Sequence, residues 1–131
     1  MTRVLVEGFA EGPLLALDQA LSFWGGVDAG TGRIIDRSHP AEGRSVAGVI
    51  LSLPHGRGSS SAATVLAEMI RMGTGPIGLV LAEPDEIIVT GVFVANALYS
   101  TSVPVVVTST PSPEIGRFQL DSAGCRRIDI D

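Results

Sequence analysis

The sequence predicts an α/β fold with a mixed, barrel-leaning sheet, and three observations support this. Nearly continuous apolar stretches at residues 46–53, 77–81 and 103–108 are typical of strands covered on both faces. Segments with helical character, residues 61–72 and 91–98, alternate with them along the chain. The length of 131 residues, 45% of them hydrophobic, suits a single domain over residues 1–131. This order predicts a parallel unit with right-handed crossovers.

Shorter elements should surround this unit. The motif Glu11-Gly12-Pro13 indicates a turn, and a polar, glycine-rich loop is expected over residues 22–39. Short strands are expected at residues 4–9, 14–17, 33–35 and 126–130. The N-terminal strands and the C-terminal strand of this set should add antiparallel or barrel-like structure to the sheet.

The segment 61–72 has the clearest boundaries. Its apolar positions recur three or four residues apart, which gives a helix one core-facing side. The preceding serines, residues 59–61, are candidate N-caps. Arg71, Gly73 and Pro76 form the expected stop signal.

Composition excludes several functions. The net charge is −5, and the nine basic residues, all arginine, are scattered along the chain, so neither nucleic acid nor an anionic membrane is an expected partner. Without lysine the chain can form no Schiff base. The single cysteine, Cys125, excludes an internal disulfide and a self-sufficient zinc or iron–sulfur site. No signal peptide or membrane span is visible, so we expect a soluble cytoplasmic protein.

The candidate chemistry concentrates where the strand 46–53 meets the helix 61–72 through glycines. A helix N-terminus offers unpaired N–H groups and a partial positive charge, which favour an anion or a serine alkoxide. Arg57 adds a forked cation suited to a carboxylate or phosphate, and Gly58 lets the backbone approach a ligand. The alternative is that Ser59 and Ser60 only cap the helix, and the spacing leaves both interpretations open.

A second constellation surrounds the only tryptophan. Trp24 stands beside Gly25 and Gly26 in a loop, and such loops tend to carry binding function. His39 belongs to the same loop. The alternative is that Trp24 closes one end of the barrel and that His39 is an ordinary loop residue.

Together these motifs resemble the swivel domain, or separate small subunit, of the aconitase X family. The resemblance runs from about residue 8 to residue 107, and Ala29 and Ala41 are its small departures. The matching motifs are SFWGGVD at 22–28, TG at 31–32, IDR at 35–37, HP at 39–40, GRGSS at 56–60 and RMGTGP at 71–76.

The resemblance implies a swivelling β/β/α domain that closes over a large catalytic subunit bearing an iron–sulfur cluster, with no cofactor bound by this chain. It also implies a hydro-lyase: bacterial members dehydrate cis-3-hydroxy-L-proline and archaeal members dehydrate 5-phosphomevalonate. In that family the first serine of the Gly-Arg-Gly-Ser stretch, Ser59 here, is the proton acceptor.

The residues and the resemblance together predict one mechanism. Ser59 removes the proton α to the substrate carboxylate, and the helix N-terminus and Arg57 stabilise its alkoxide. Arg57 can instead clamp the carboxylate, and Ser60 can donate to the substrate. Trp24, Gly25, Gly26 and Gly58 are expected pocket residues, with His39 as a further candidate. The composition favours cis-3-hydroxy-L-proline over 5-phosphomevalonate, which needs more cations.

Two other classes of function stay open. In a phosphohistidine swivelling domain, His55 would carry a phosphoryl group between distant sites. In a non-catalytic subunit, the serine-capped helix would only hold an anion.

Overall fold

A seven-stranded mixed sheet, curled into a half-barrel, forms the centre of the fold. The computed structural model describes residues 2–108 and 116–128. From one edge of the sheet to the other, its strands are β1 (Arg3–Val6), β9 (Val105–Val107), β8 (Gly78–Leu81), β6 (Ile50–Leu53), β2 (Ala10–Ala16), β10 (Arg117–Asp121) and β11 (Gly124–Arg127).

The middle of this sheet is parallel and its margins are antiparallel. Strands β2, β6, β8 and β9 pair in parallel, which extends the predicted parallel unit by one strand. Strand β1 pairs antiparallel with β9, and β10 pairs antiparallel with both β2 and β11. The predicted α/β class with a mixed, barrel-like sheet is therefore confirmed.

Four two-residue strands lie outside the large sheet. Strand β3 (Leu21–Ser22) pairs in parallel with β7 (Gly56–Arg57). Strand β4 (Val27–Asp28) pairs antiparallel with β5 (Arg33–Ile34), where a short strand was expected.

Helix α1 (Ser60–Met72) confirms the predicted helix and both of its end signals. Ser59 is the N-cap, and Gly73 ends the helix in the left-handed conformation with φ of 81°. Its apolar face packs in the core with the residues Ala62, Leu66, Met69 and Ile70.

Helix α2 (Glu86–Tyr99) begins earlier than the predicted residue 91, which corrects that expectation. Asp85 caps it by accepting a hydrogen bond from the Ile88 amide. The apolar, β-branched residues of its first turns have low helix propensity, but packing of Ile88 into the core outweighs that preference. Neither described helix is long and apolar enough to cross a membrane.

The core lies on both faces of the sheet. On strand β8, Leu79 and Leu81 join the cluster that contains residues of both helices. Val80 points the other way and joins a second cluster with Phe118 and Leu120 of β10. This alternation is that of a strand covered on both sides.

The prediction of a turn at Glu11-Gly12-Pro13 is wrong, because these residues lie within strand β2. A Cβ on Gly12 would come within 2.9 Å of Ile77 Cδ1, so this glycine permits a close approach rather than a turn. Pro13 lacks an N–H, but it lies before Leu14, where the pairing with β6 begins.

Other boundaries also differ from those expected. The strands predicted at residues 4–9, 46–53 and 103–108 are shorter, because strand pairing covers only part of each apolar stretch. At the C-terminus a hairpin of β10 and β11 replaces the single strand expected at residues 126–130. Residues 129 and 130 lie outside the described part of the chain.

Candidate active site

The pairing of β3 with β7 brings the two sequence motifs together. Leu21 faces Gly56 and Ser22 faces Arg57 in this short parallel ladder. The tryptophan loop follows β3 directly, and helix α1 follows β7 after two residues. Two segments that are distant in sequence therefore form one surface.

A cavity of about 420 Å³ opens between these loops. Five of its seven lining residues are predicted site residues, and Ser22 and Asp36 complete it. The Trp24 side chain is 63% exposed, so it does not close the end of the barrel, which was the alternative interpretation. The predicted residues that line the cavity are Trp24, Gly25, Gly26, Arg57 and Gly58.

Ser59 is not in the cavity lining, but it directly follows the lining residue Gly58 and is exposed at the N-terminus of α1. Its Oγ accepts a hydrogen bond from the Ser61 amide at 3.3 Å, so the serine does cap the helix. The same amide and the helix dipole would stabilise a negative charge on this oxygen. Gly58 has φ of 115°, and a Cβ there would lie 3.2 Å from Ser22 Oγ, so the approach to Ser59 requires glycine.

Arg57 pairs with a carboxylate that the sequence analysis did not select. Its guanidinium lies 3.6 Å from Asp36 Oδ2, and both residues line the cavity. Hydrogen bonds from the Ser38 hydroxyl and amide, with a smaller contribution from Arg57, lower the pKa of Asp36. The cavity therefore presents a cation and an ionised carboxylate side by side.

Ser22 orders the tryptophan loop. Its Oγ donates to the Trp24 carbonyl at 2.9 Å and accepts from the Trp24 amide at 3.2 Å. A Cβ on Gly26 would come within 2.5 Å of the Ser22 carbonyl oxygen, so the loop folds tightly back on itself. A serine two residues before the only tryptophan was the available signal for this role.

Besides Ser59, two predicted residues are not in this cavity lining. Ser60 lines a separate space of about 330 Å³ between α1 and α2. His39 is buried and lines another cavity, of about 590 Å³. Its Nδ1 accepts from the Ala41 amide at 3.0 Å, and its buried Nε2 has no hydrogen-bond partner among the described residues. Substrate binding by Ser60 and His39 stays a prediction.

The described residues do not fit an iron–sulfur cluster. Residues 2–108 and 116–128 contain no group of three or more histidine, cysteine, aspartate or glutamate side chains that could hold a metal ion. Burial raises the pKa of the Cys125 thiol, which disfavours the thiolate that such a cluster needs.

This fold and site define a small α/β domain that presents a serine-capped helix beside an open, charged cavity. The sequence model of the aconitase X swivel domain matches residues 1–117, and the chain belongs to this family. Over 97% of the chain, the structure resembles the holo-form of aconitase X from Thermococcus kodakaraensis, with a TM-score of 0.84, 27% identity and 95% of that chain covered.

Two relatives have names that state an activity. The cis-3-hydroxy-L-proline dehydratase of Pseudomonas aeruginosa is 42% identical over 128 residues, which cover 98% of this chain and 22% of the relative. The phosphomevalonate dehydratase small subunit of Methanothermobacter thermautotrophicus is 42% identical over 94 residues, 72% of each chain. The chain thus spans about a fifth of the first relative and most of the second.

Proposed function

We propose that this chain is the small, swivelling subunit of a dehydratase that removes water from a small β-hydroxy acid. The observation that carries the proposal is the exposed Ser59 Oγ at the start of α1, next to the cavity that contains Arg57. Its similarity to a dehydratase small subunit, and to about a fifth of a longer dehydratase, supports a separate large subunit as partner.

Ser59 is the proposed proton acceptor. Its alkoxide Oγ takes the proton α to the carboxylate, the electron pair of that C–H bond forms the double bond, and the β-hydroxyl leaves as hydroxide. Transfer of the proton from Ser59 to this hydroxide, through solvent, gives water and regenerates the alkoxide. The Ser61 amide and the helix dipole lower the cost of the alkoxide that this step requires. Arg57 holds the substrate carboxylate, and the large subunit carries the iron–sulfur cluster and completes the site.

The charge of the cavity favours cis-3-hydroxy-L-proline as substrate. Among the residues that the structure describes, Arg57 is the only cation in the lining, and Asp36 already balances it, so a phosphate dianion finds no further cationic partner among them. A zwitterionic amino acid matches this pair, with its carboxylate on Arg57 and its ring ammonium on Asp36. Dehydration of phosphomevalonate is the second candidate reaction, because the phosphomevalonate dehydratase small subunit has the same 42% identity to this chain.

The test is reconstitution with the large subunit, followed by assays on both substrates. Loss of a general base should lower kcat by about 10²- to 10⁴-fold in Ser59→Ala. Ser59→Asn restores a good N-cap without the hydroxyl, so it should be equally inactive. Ser61→Ala, which keeps the backbone N–H, is the matched control and should retain activity.

Full turnover in Ser59→Ala would reject the serine base and favour the anion-binding subunit. Acid-labile phosphate on the chain after incubation with a phosphoryl donor, lost in His55→Ala, would instead favour the phosphohistidine alternative.

A further inference from the structure

One carboxylate connects the first turn of α2 to the loop that presents Ser59. Asp85 Oδ1 accepts the Ile88 amide at 3.0 Å and so caps α2. Asp85 Oδ2 accepts the amide of Gly56 at 2.8 Å, across 29 residues of sequence. The two oxygens therefore bind the backbone of two different elements.

The carbonyl of Gly56 is held as well. His55 Nδ1 lies 2.6 Å from the Gly56 oxygen, and because a carbonyl can only accept, this nitrogen carries the proton. Gly56 also faces Leu21 in the ladder that joins the two site loops. Side chains thus form hydrogen bonds with both the N–H and the C=O of Gly56, and strand pairing places Leu21 beside it.

The loop at Gly56 rests closely against α2. A Cβ on this glycine would lie 3.1 Å from Ile88 Cδ1 and 3.3 Å from Asp85 Oδ2. Ile88 is buried in the core, so the surface that supports the loop is rigid. The hydrogen bond to Asp85 therefore attaches the loop to a rigid part of the fold.

Two residues, Arg57 and Gly58, separate Gly56 from Ser59. A displacement of the Gly56 amide would therefore also move the Arg57 guanidinium and Ser59 Oγ. A misplacement of about 1 Å can lower a catalytic rate about 10²-fold.

We infer that Asp85 is a positioning residue of the active site, which holds the Gly56 amide and thereby sets the positions of Arg57 and Ser59. The inference rests on the proposed role of Ser59 in catalysis. Both carboxylate oxygens of Asp85 are bound to backbone amides, and the residue is not in the cavity lining, so it acts through the loop rather than on the substrate.

The test is Asp85→Asn in the reconstituted complex. Asparagine caps a helix as well as aspartate does and can still accept the Ile88 amide. Its NH₂ group cannot accept the Gly56 amide, so this one bond is lost. We expect kcat/KM to fall about 10- to 100-fold, with a lower kcat because Ser59 moves and a higher KM because Arg57 moves, while the chain stays folded at the assay temperature. The Gly56 amide of the full chain should exchange its hydrogen faster, measured by NMR, while core amides do not change.

Asp121→Asn is the control. That carboxylate also accepts a backbone amide, from Ala123, and it pairs with Arg126, but it lies in the β10–β11 hairpin. This variant should keep the wild-type kcat and the wild-type exchange of Gly56.

Wild-type kcat in Asp85→Asn would overturn the inference, as would a loss explained entirely by a smaller folded fraction. Ser59→Ala in the same assay separates this from a failure of the proposed function. If Ser59→Ala stays active, the serine base is wrong. If only Ser59→Ala is impaired, Asp85 is not a positioning residue.

Discussion

The Arg57 guanidinium lies 3.6 Å from the Asp36 carboxylate, and both residues line the cavity formed by two loops that are distant in sequence. Ser38 holds the other carboxylate oxygen through its hydroxyl, at 2.7 Å, and its amide, at 2.9 Å. Asp36 is thus fixed on one side and faces the cation on the other. This geometry leads to the first two predictions.

The Asp36 carboxyl should titrate below its ordinary pKa of 3.8, because Ser38 and, to a smaller degree, Arg57 favour its ionised form. A depressed pKa in the folded state contributes stability above the unfolded pKa, and this contribution is lost as the pH falls through the folded value. Carboxyl ¹³C shifts followed by NMR from neutral to acidic pH measure it. Ser38→Ala should raise the pKa more than Arg57→Gln, and a wild-type value at or above 3.8 would contradict the assignment.

Asp36→Asn should weaken binding of cis-3-hydroxy-L-proline in the reconstituted enzyme. The substrate ammonium loses its charged partner in this variant, so KM should rise about 10-fold. Steady-state kinetics measure this change. Asp28→Asn is the control, since its carboxylate accepts only a local amide, that of Gly30, in a turn outside the cavity lining. An unchanged KM in Asp36→Asn would show that Asp36 does not bind the ring ammonium of the substrate.

Trp24 should report directly on the site, because it is the only tryptophan and its side chain is 63% exposed. We expect the free chain to emit as a solvent-exposed indole and to be quenched readily by acrylamide. Addition of the large subunit should reduce quenching. Trp24→Ala should change the free energy of unfolding by less than about 0.5 kcal/mol, as expected of a surface substitution. A blue-shifted, protected emission in the free chain would show that the loop is closed.

Ser59 should contribute to stability separately from catalysis. Loss of an N-cap costs about 1 kcal/mol, so Ser59→Ala should unfold at lower urea concentration, whereas Ser59→Asn should match the wild type. Urea denaturation followed by circular dichroism measures the difference. Equal stability of all three proteins would mean that the 3.3 Å bond to the Ser61 amide contributes nothing measurable.

Gly91→Ala should destabilise the fold, although alanine is the better helix former. The added Cβ would lie 2.7 Å from the Ala63 carbonyl oxygen, where α2 packs against α1. Overpacking costs about 1–3 kcal/mol of folding free energy. Replacing glycine by alanine in a helix gains about 1 kcal/mol, so the cost of overpacking exceeds this gain over most of its range. Chemical denaturation provides the measurement. Gly30→Ala is the control, because its nearest neighbour would be Asp28 Oδ1 at an ordinary 3.5 Å.

Local patterns were sufficient for the elements whose signals are complete within a few residues. The serines before α1 and the glycine after it mark both ends of that helix, because capping is a local interaction. The sequence places the start of α2 too late, because the first turns of this helix are apolar and β-branched. The Gly12-Pro13 pair indicates a turn, because the close approach of Ile77 cannot be seen in the sequence.

The α/β class, the serine-capped helix and the residue types of the candidate site follow from local patterns along the chain. Which of these residues meet depends on the three-dimensional fold, which joined the Trp24 loop to Arg57, added Asp36 and Asp85, and left Ser60 and His39 outside the cavity lining. The division arises because caps and periodicity depend on neighbours along the chain. The β3–β7 ladder and the Asp85–Gly56 bond, in contrast, depend on strand pairing and helix packing between distant segments.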